Sequence, residues 1–460
     1  MKRRESLRTL AALFVAASAA GCGGGGSSPA VPAPSPAGPK IDALSSDKTS
    51  YFVGDSASLT ATFSGGTGRI EPGAIPVTSG VALQLGPLKA TTTYRLVVTA
   101  GQTQVSRELA LAVSYRGRFA PVAMPFARAQ HQAVELPNGK ILVIGGRDLG
   151  STYPVAVMAY DAQANTFSQA GVLTTGRLNH SATVLADGTV LIVGGNRALS
   201  GSPIAERFNP ATGTSRATAT QPLQSRSLHT ATRLADGRVL FVGGLSSGGN
   251  AVANTVDLFD PATEQFTRLP VTLAKGRYGH AAVPVTPNTV VIYGGATPAG
   301  LAAQPELFDV SALSLSAATL PSYDALPRAL AAVVRTANGD FAVIGGASPY
   351  DGALSSKVAL VAGGGLAFND GGQLLAPRAE HAAAALSDGR VLVTGGIATN
   401  GKALSTSEVY APLARNAAAG PALGRARKEH TATYLANGKV LVIGGTGDDG
   451  LPMASAELYE

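Results

Sequence analysis

A pair of adjacent glycines recurs seven times along this chain, at Gly145-Gly146, Gly194-Gly195, Gly243-Gly244, Gly294-Gly295, Gly345-Gly346, Gly395-Gly396 and Gly444-Gly445. The intervals are 49, 49, 51, 51, 50 and 49 residues. A fixed period of about 50 residues marks a repeat architecture, in which no unit buries its apolar face alone and each leans on its neighbours. The clearest copy runs from Arg226 to Pro261. It reads Arg-Ser-Leu-His229-Thr-Ala-Thr, then Asp236-Gly237, then Val-Leu-Phe-Val, the glycine pair, a polar loop, and Val-Asp257-Leu-Phe259-Asp260-Pro261.

Each copy reads as four antiparallel strands. The first is the run after the histidine, as in Ser181 to Leu185. A turn follows at Asn138-Gly139, Asp187-Gly188, Asp236-Gly237, Asn338-Gly339, Asp388-Gly389 and Asn437-Gly438, with Asn288-Thr289 in the fourth unit. Asx-Gly pairs accept positive φ, so two-residue type I′ hairpins are expected. The second strand, such as Val190 to Val193, is apolar throughout and should be buried on both faces. The third carries Phe208-Asn209-Pro210, Phe259-Asp260-Pro261 or Phe308-Asp309, and the fourth an aromatic at Phe167, Phe266 and Phe368. These residues resemble kelch repeats over the last three-quarters of the chain, with Phe where that family has Trp. The resemblance implies a seven-bladed β-propeller over residues 116–460. The chain stops at Glu460, after the third strand of unit seven. The missing fourth strand is expected at residues 118–122, which would close the ring.

Residues 41–114 have a different, two-residue period: Leu59, Ala61 and Phe63, then Tyr94, Leu96 and Val98, then Leu109, Leu111 and Val113 alternate with polar neighbours. Short alternating runs between Gly and Pro turns predict a β-sandwich. Thr91-Thr92-Thr93-Tyr94-Arg95-Leu96, with Gly54 before it, resembles the immunoglobulin-like modules of bacterial surface proteins. The fold class expected overall is all-β, a small immunoglobulin-like sandwich followed by a seven-bladed kelch-type propeller.

The first 21 residues read as a leader. Lys2, Arg3 and Arg4 precede an apolar stretch from Leu10 to Ala20, shorter than the ~20 residues that span a bilayer. Ser-Ala-Ala-Gly-Cys22 resembles a bacterial lipobox, with Ala19 where Leu is usual. The resemblance implies acylation of Cys22, the only cysteine in the chain. Residues 22–40 are a Gly/Ser/Pro-rich tether. An exported, outer-membrane lipoprotein is expected, facing the periplasm or the cell surface, held to the membrane through Cys22. Removing the leader takes away four basic residues and one acid, leaving 32 basic and 28 acidic residues. The basic residues are dispersed and Trp is absent, which argues against a nucleic-acid partner. A monomer is expected.

All six histidines sit at one place in the repeat, three residues after an arginine: Arg128 and His131, Arg177 and His180, Arg226 and His229, Arg277 and His280, Arg378 and His381, Arg427 and His430. The fifth unit has Arg328 and Ala331. One residue type at one repeat position argues for a repeated structural bond between blades rather than a metal or catalytic centre, which is asymmetric. No metal, cofactor or catalytic residue is assigned. An acid recurs on the third strand at Glu206, Asp257, Glu306, Glu408 and Glu457, and is expected to pair with the motif arginines, since an unpaired buried arginine is costly. Met158 and Val358 replace it in units one and five.

Among kelch-type propellers, the galactose oxidase family holds copper with two Tyr, two His and a Tyr–Cys thioether. Lacking a second cysteine, this chain cannot form that group. Sialic-acid mutarotases of this fold use unrepeated polar residues in the channel, and no such set stands out in the sequence. Specificity is expected in the loops after the glycine pairs, which differ in every unit and share a face with the Arg-x-x-His turns. Arg147, Asp148, Tyr153, Arg197, Tyr350, Asp351, Asp448 and Asp449 are the candidate binding residues for a protein or glycan ligand. Asp448 and Asp449 are too few carboxylates for a calcium site. The competing expectation is a carbohydrate-active enzyme, mutarotase- or oxidase-like, working in the channel.

Overall fold

The computed structural model describes residues 38–197, 204–246, 251–298, 300–301, 304–318, 328–348, 351–363 and 367–460. The leader, Cys22, most of the tether and Tyr350 lie outside them, so the expectations placed there have no structural counterpart. The described residues are all-β, and no helix among them is long and apolar enough to cross a membrane.

Residues 40–114 form a three-stranded and a five-stranded sheet. Leu44, Leu59 and Ala61 from the first meet Ile70, Leu96, Val98 and Leu111 from the second in one apolar core. The alternation of buried and exposed residues along Ala57–Ser64 follows the pleat, which sends successive side chains to opposite faces.

The remaining described residues make three two-stranded sheets and seven four-stranded antiparallel ones, the seven here called I to VII in chain order. In each of the seven, the second strand is buried, from Ile141–Ile144 in sheet I to Val440–Ile443 in sheet VII, apart from the partly exposed Thr289 that opens Thr289–Tyr293 in sheet IV. An all-apolar run in mid-sheet is covered on both faces by the neighbouring sheets. Sheet VII is built from both ends of the domain. Its fourth strand is Phe119–Val122, paired with Ala456–Tyr459, with Phe119 opposite Tyr459. First strands of successive sheets stand side by side, except that the first strand of sheet IV meets the second of sheet V, and sheet VII adjoins sheet I.

The hairpin turns differ from the type I′ expectation. The glycines Gly139, Gly188, Gly237, Gly339, Gly389 and Gly438 have positive φ, but the Asx residues before them do not. Each glycine N–H instead donates three residues back, as Gly139 does to Leu136 at 2.9 Å and Gly438 to Leu435 at 2.8 Å. The loops are therefore type I turns closed by a left-handed glycine, the three-residue hairpin with a bulge. The cause is local: the Asx side chain accepts the N–H two residues on, as Asn138 does from Lys140 and Asp236 from Arg238, and so holds its own backbone at negative φ.

The two parts of the chain are docked. Tyr115 Oη donates to the carbonyl of Gly438 at 2.8 Å, and its ring stacks on Tyr459 at 5.2 Å. Ser387 Oγ donates to the Lys89 carbonyl. A side chain on Gly438 would strike Val53 and Lys89, so glycine at this turn serves the contact as well as the hairpin. Deletion of residues 117–125 should abolish cooperative unfolding, because it opens sheet VII and exposes the edge of Ala456–Tyr459. A calorimetric transition matching that of the intact chain would refute closure through this strand.

Candidate functional site

The repeated motif builds the frame of the site. The second glycine of each pair donates its N–H to the carbonyl of the motif arginine in the next unit. The bonds run Gly146 to Arg177, Gly195 to Arg226, Gly244 to Arg277, Gly295 to Arg328, Gly346 to Arg378, Gly396 to Arg427 and finally Gly445 back to Arg128, at 2.8–3.0 Å. Both glycines of every pair have positive φ, and a Cβ on Gly194 would collide with the Arg226 carbonyl. The arginine side chain turns back into its own unit, where Nη1 donates to the first glycine's carbonyl, as in Arg177 to Gly194 and Arg378 to Gly395.

The third-strand acids complete this arrangement within each sheet. Arg177 pairs with Glu206 at 2.6 Å and Arg378 with Glu408 at 2.6 Å; Arg226 pairs with Asp257, Arg277 with Glu306 and Arg427 with Glu457. The second oxygen of four of these carboxylates, or the same group in bidentate fashion, accepts a backbone N–H ahead of the arginine, from Thr174, Ala274, Leu375 and Gly424. Burial pulls the guanidinium of Arg277 below its ordinary range, and Glu306 opposes this.

Sheet I lacks the acid, having Met158, and has Pro125 where the other units offer the N–H. Arg128 is only 3% exposed, has no carboxylate within ion-pair distance among the described residues, and its Nε is unpartnered. It donates to Ala156 O at 3.2 Å and stands over the Phe126 ring.

Each histidine ring lies against the first glycine of the preceding unit, and most reach a hydroxyl there: His131 to Thr431, His229 to Ser181, His280 to Thr230 and His430 to Thr394, at 2.8–2.9 Å. Among the described residues neither ring nitrogen of His180 or His381 reaches a side chain, and His381 lies beside the Ile344 backbone. The corresponding neighbours are Gln132 and Ala332, which offer no hydroxyl. Burial, with the motif arginines adding to it, pushes His131, His229, His280 and His381 down to about 3, and His180 and His430 well below their ordinary value. These are neutral rings packed between sheets.

The residue before each histidine forms the inner rim. Gln130, Asn179, Leu228, Gly279, Leu330, Glu380 and Glu429 all have left-handed backbones, with φ of 52–61°. Backbone N–H groups link neighbours on this rim: Gln130 to the carbonyl of Glu429, Leu228 to Asn179, Gly279 to Leu228, Leu330 to Gly279, and Glu429 to Glu380. The frame is repeated but the side chains are not. Sheets III to V contribute Leu228, Gly279 and Leu330; sheets VI, VII, I and II contribute Glu380, Glu429, Gln130 and Asn179.

The polar arc holds two side-chain groups. Gln130 Nε2 donates to Glu429 Oε1 at 2.6 Å, and Thr446 Oγ1 donates to Glu429 Oε2 at 2.8 Å. Arg147 Nη2 donates to Thr446 Oγ1 and to Gly450 O, and lies 4.0 Å from Glu429. Lys428 pairs with Glu380 at 3.2 Å. All four charged side chains are partly exposed, at 20–26%. Of the loop candidates, Arg147 belongs here. Asp448 accepts the N–H of Ala403 and ties the loops of sheets VI and VII together. Asp148 holds Thr152, Asp351 the N–H of Ala353, and Asp449 the N–H of Leu451, each within its own loop. Tyr153 is half-buried, and Arg197 is described only by its backbone pairing with Arg177. Sequence reasoning missed Gln130, Glu380, Lys428, Glu429 and Thr446. The signal was the one motif position that changes character from unit to unit.

The profile of the kelch motif family matches residues 127–174. No curated protein matches the chain. Among solved structures, a fungal alcohol oxidase of the AA5 family in complex with copper is similar, at 16% identity and a TM-score of 0.60, covering 75% of this chain and 76% of that one. The chain thus carries a kelch motif on an all-β, galactose-oxidase-like propeller architecture. A copper centre does not fit its residues. The histidine rings are committed between sheets, and the described residues hold no group of three or more His, Cys, Asp or Glu placed to bind a metal.

Two outcomes follow from this chemistry. Glu306→Gln should cost about 3–5 kcal/mol by stranding Arg277, whereas Met158→Glu with Pro125→Ala should raise the melting temperature by about 2 °C by giving Arg128 the missing partner. A melting temperature that falls in the double variant would refute the reading of Arg128. The buried histidines set the pH dependence. Their folded pKa lies below the unfolded value of about 6.5, so the unfolded chain binds protons that the folded chain refuses, and stability falls as pH drops below about 6.5 and is flat above it. His381→Phe should reduce the slope of unfolding free energy against pH by about 1.4 kcal/mol per unit between about pH 4 and 5.5. An unchanged slope would mean that the ring already carries its proton in the fold.

Proposed function

We propose that the protein is an exported lipoprotein, anchored through Cys22, whose immunoglobulin-like sandwich precedes a seven-bladed kelch propeller that binds a protein or glycan at the bacterial cell envelope. The observation that carries this reading is the rim: a repeated backbone ring presents unrepeated side chains, polar on one arc and apolar on the other. A rigid frame with variable side chains is how recognition sites are built. Arg147, Glu380, Lys428, Glu429 and Gln130 offer charged donors, acceptors and an amide along one arc. Leu228 and Leu330 offer apolar contact opposite. The seven sheets, their cyclic glycine-to-arginine bonds and the kelch match support the bladed architecture. The leader and tether support the anchor.

The asymmetry of the rim also favours a second reading, chemistry on a carbohydrate at the channel mouth with Glu380 and Glu429 as the acid and base. A photo-crosslinker at Tyr153, activated in intact cells, tests between them. A discrete protein adduct that disappears with Arg147→Glu would establish an interaction module. No adduct, together with turnover of a saccharide lost in Glu429→Gln, would replace binding with catalysis. Labelling with a palmitate analogue should mark the wild-type chain and not Cys22→Ser; equal labelling would refute the anchor.

A further inference from the structure

The junction between the sandwich and the repeat sheets encloses a cleft of about 790 Å³ on the face opposite the rim. One wall is Gly54, Gly86, Pro87 and Lys89 of the sandwich; the other is the hairpin turns of sheets I and VII together with Asp161–Gln163. The walls are held in place by the Tyr115, Ser387 and Gly438 contacts and by the Arg116–Asp55 ion pair at 3.1 Å. Clefts of this size between domains are where small ligands most often bind.

The lining is rich in donors. Lys89, Lys140 and Lys439 converge on it, against a single lining carboxylate, Asp161. Asp161 is already occupied: Oδ1 accepts the N–H groups of Gln163 and Ala164, and Oδ2 lies 3.4 Å from Lys140. Lys439 is paired with Glu460 at 2.6 Å. Lys89 is exposed and has no ion pair among the described residues. The side-chain oxygens of Asn138 and Asn437 are taken by the N–H groups of Lys140 and Lys439, which leaves their NH₂ groups as donors. With Gln163 as the one lining amide whose oxygen accepts no hydrogen bond among the described residues, the cleft's open hydrogen-bonding capacity is weighted toward ammonium and amide N–H, which suits a ligand rich in acceptors.

We propose that this cleft binds an oxyanion, a phosphate or carboxylate carried on a ligand of monosaccharide to disaccharide size, with Lys89 and Lys140 as its principal contacts from opposite walls. Thermal melts of the mature protein at constant ionic strength test it, with inorganic phosphate, glucose 6-phosphate, glucuronate and glucose as probes. A saturable rise is expected with at least one anion and none with glucose. A response to glucose 6-phosphate alone assigns phosphate, and to glucuronate alone carboxylate. The apparent affinity should fall at least tenfold in Lys89→Ala/Lys140→Ala and stay unchanged in Lys402→Ala, on the far face. Glu429→Gln, at the rim, should also leave it unchanged. No saturable shift with any anion, or equal shifts in wild type and the double lysine variant, would overturn the proposal.

Discussion

Each motif arginine is used at both ends. Its carbonyl receives the N–H of the preceding unit's glycine pair, and in the five units with a third-strand acid its guanidinium reaches its own unit's glycine carbonyl and that acid. One residue therefore fastens the sheet internally and to its neighbour. The arrangement requires glycine twice over, because both backbones of the pair are left-handed and the arginine carbonyl lies where a Cβ would be. It requires the acid because a buried guanidinium without a counter-charge is destabilising. It explains the histidine too, whose flat ring fits over the glycine that has no side chain. With the seventh glycine pair bonded to the first arginine, the glycine-to-arginine bonds run round all seven units, and the same few contacts repeat at each junction.

Repetition also determines where function can be. A side chain that occupies the same place in six units is spoken for by packing. The residue before each histidine has the same backbone in all seven units but is free to be Glu, Gln, Asn, Leu or Gly. That freedom exists because its left-handed backbone and its N–H to C=O links hold the rim, leaving its side chain with no obligatory structural duty. The consequence is a mouth whose polar and apolar arcs are set by sequence alone on a frame that does not move with them.

The legible part of the sequence was whatever the period repeats. The glycine pairs, the apolar second strands and the arginine–acid pairing could be read because seven copies average out local noise, and because the missing fourth strand of the last unit has a matching surplus at Phe119–Val122. The hairpin type was misread because Asx-Gly pairs suit two kinds of loop. The choice is made by the Asx side chain capturing an N–H two residues on, which composition does not reveal. The rim was missed for the opposite reason: attention to what recurs hides the position that varies. Glu380 and Glu429 lie one repeat apart in a chain of 460 residues, and only the ring geometry puts them next to each other, with Arg147, from the other end of the repeats, beside Glu429.

The docking of the sandwich gives the molecule two unlike ends. A first strand runs from the Arg-x-x-His turn to the hairpin and the second returns to the glycine pair, so the rim and the hairpins lie at opposite ends of every sheet. Gly438 and Ser387, which touch the sandwich, belong to hairpins of sheets VII and VI. The sandwich thus covers part of the hairpin face and none of the rim. The two candidate sites are then separated by the full length of the sheets. A ligand for one can be bound without crowding the other.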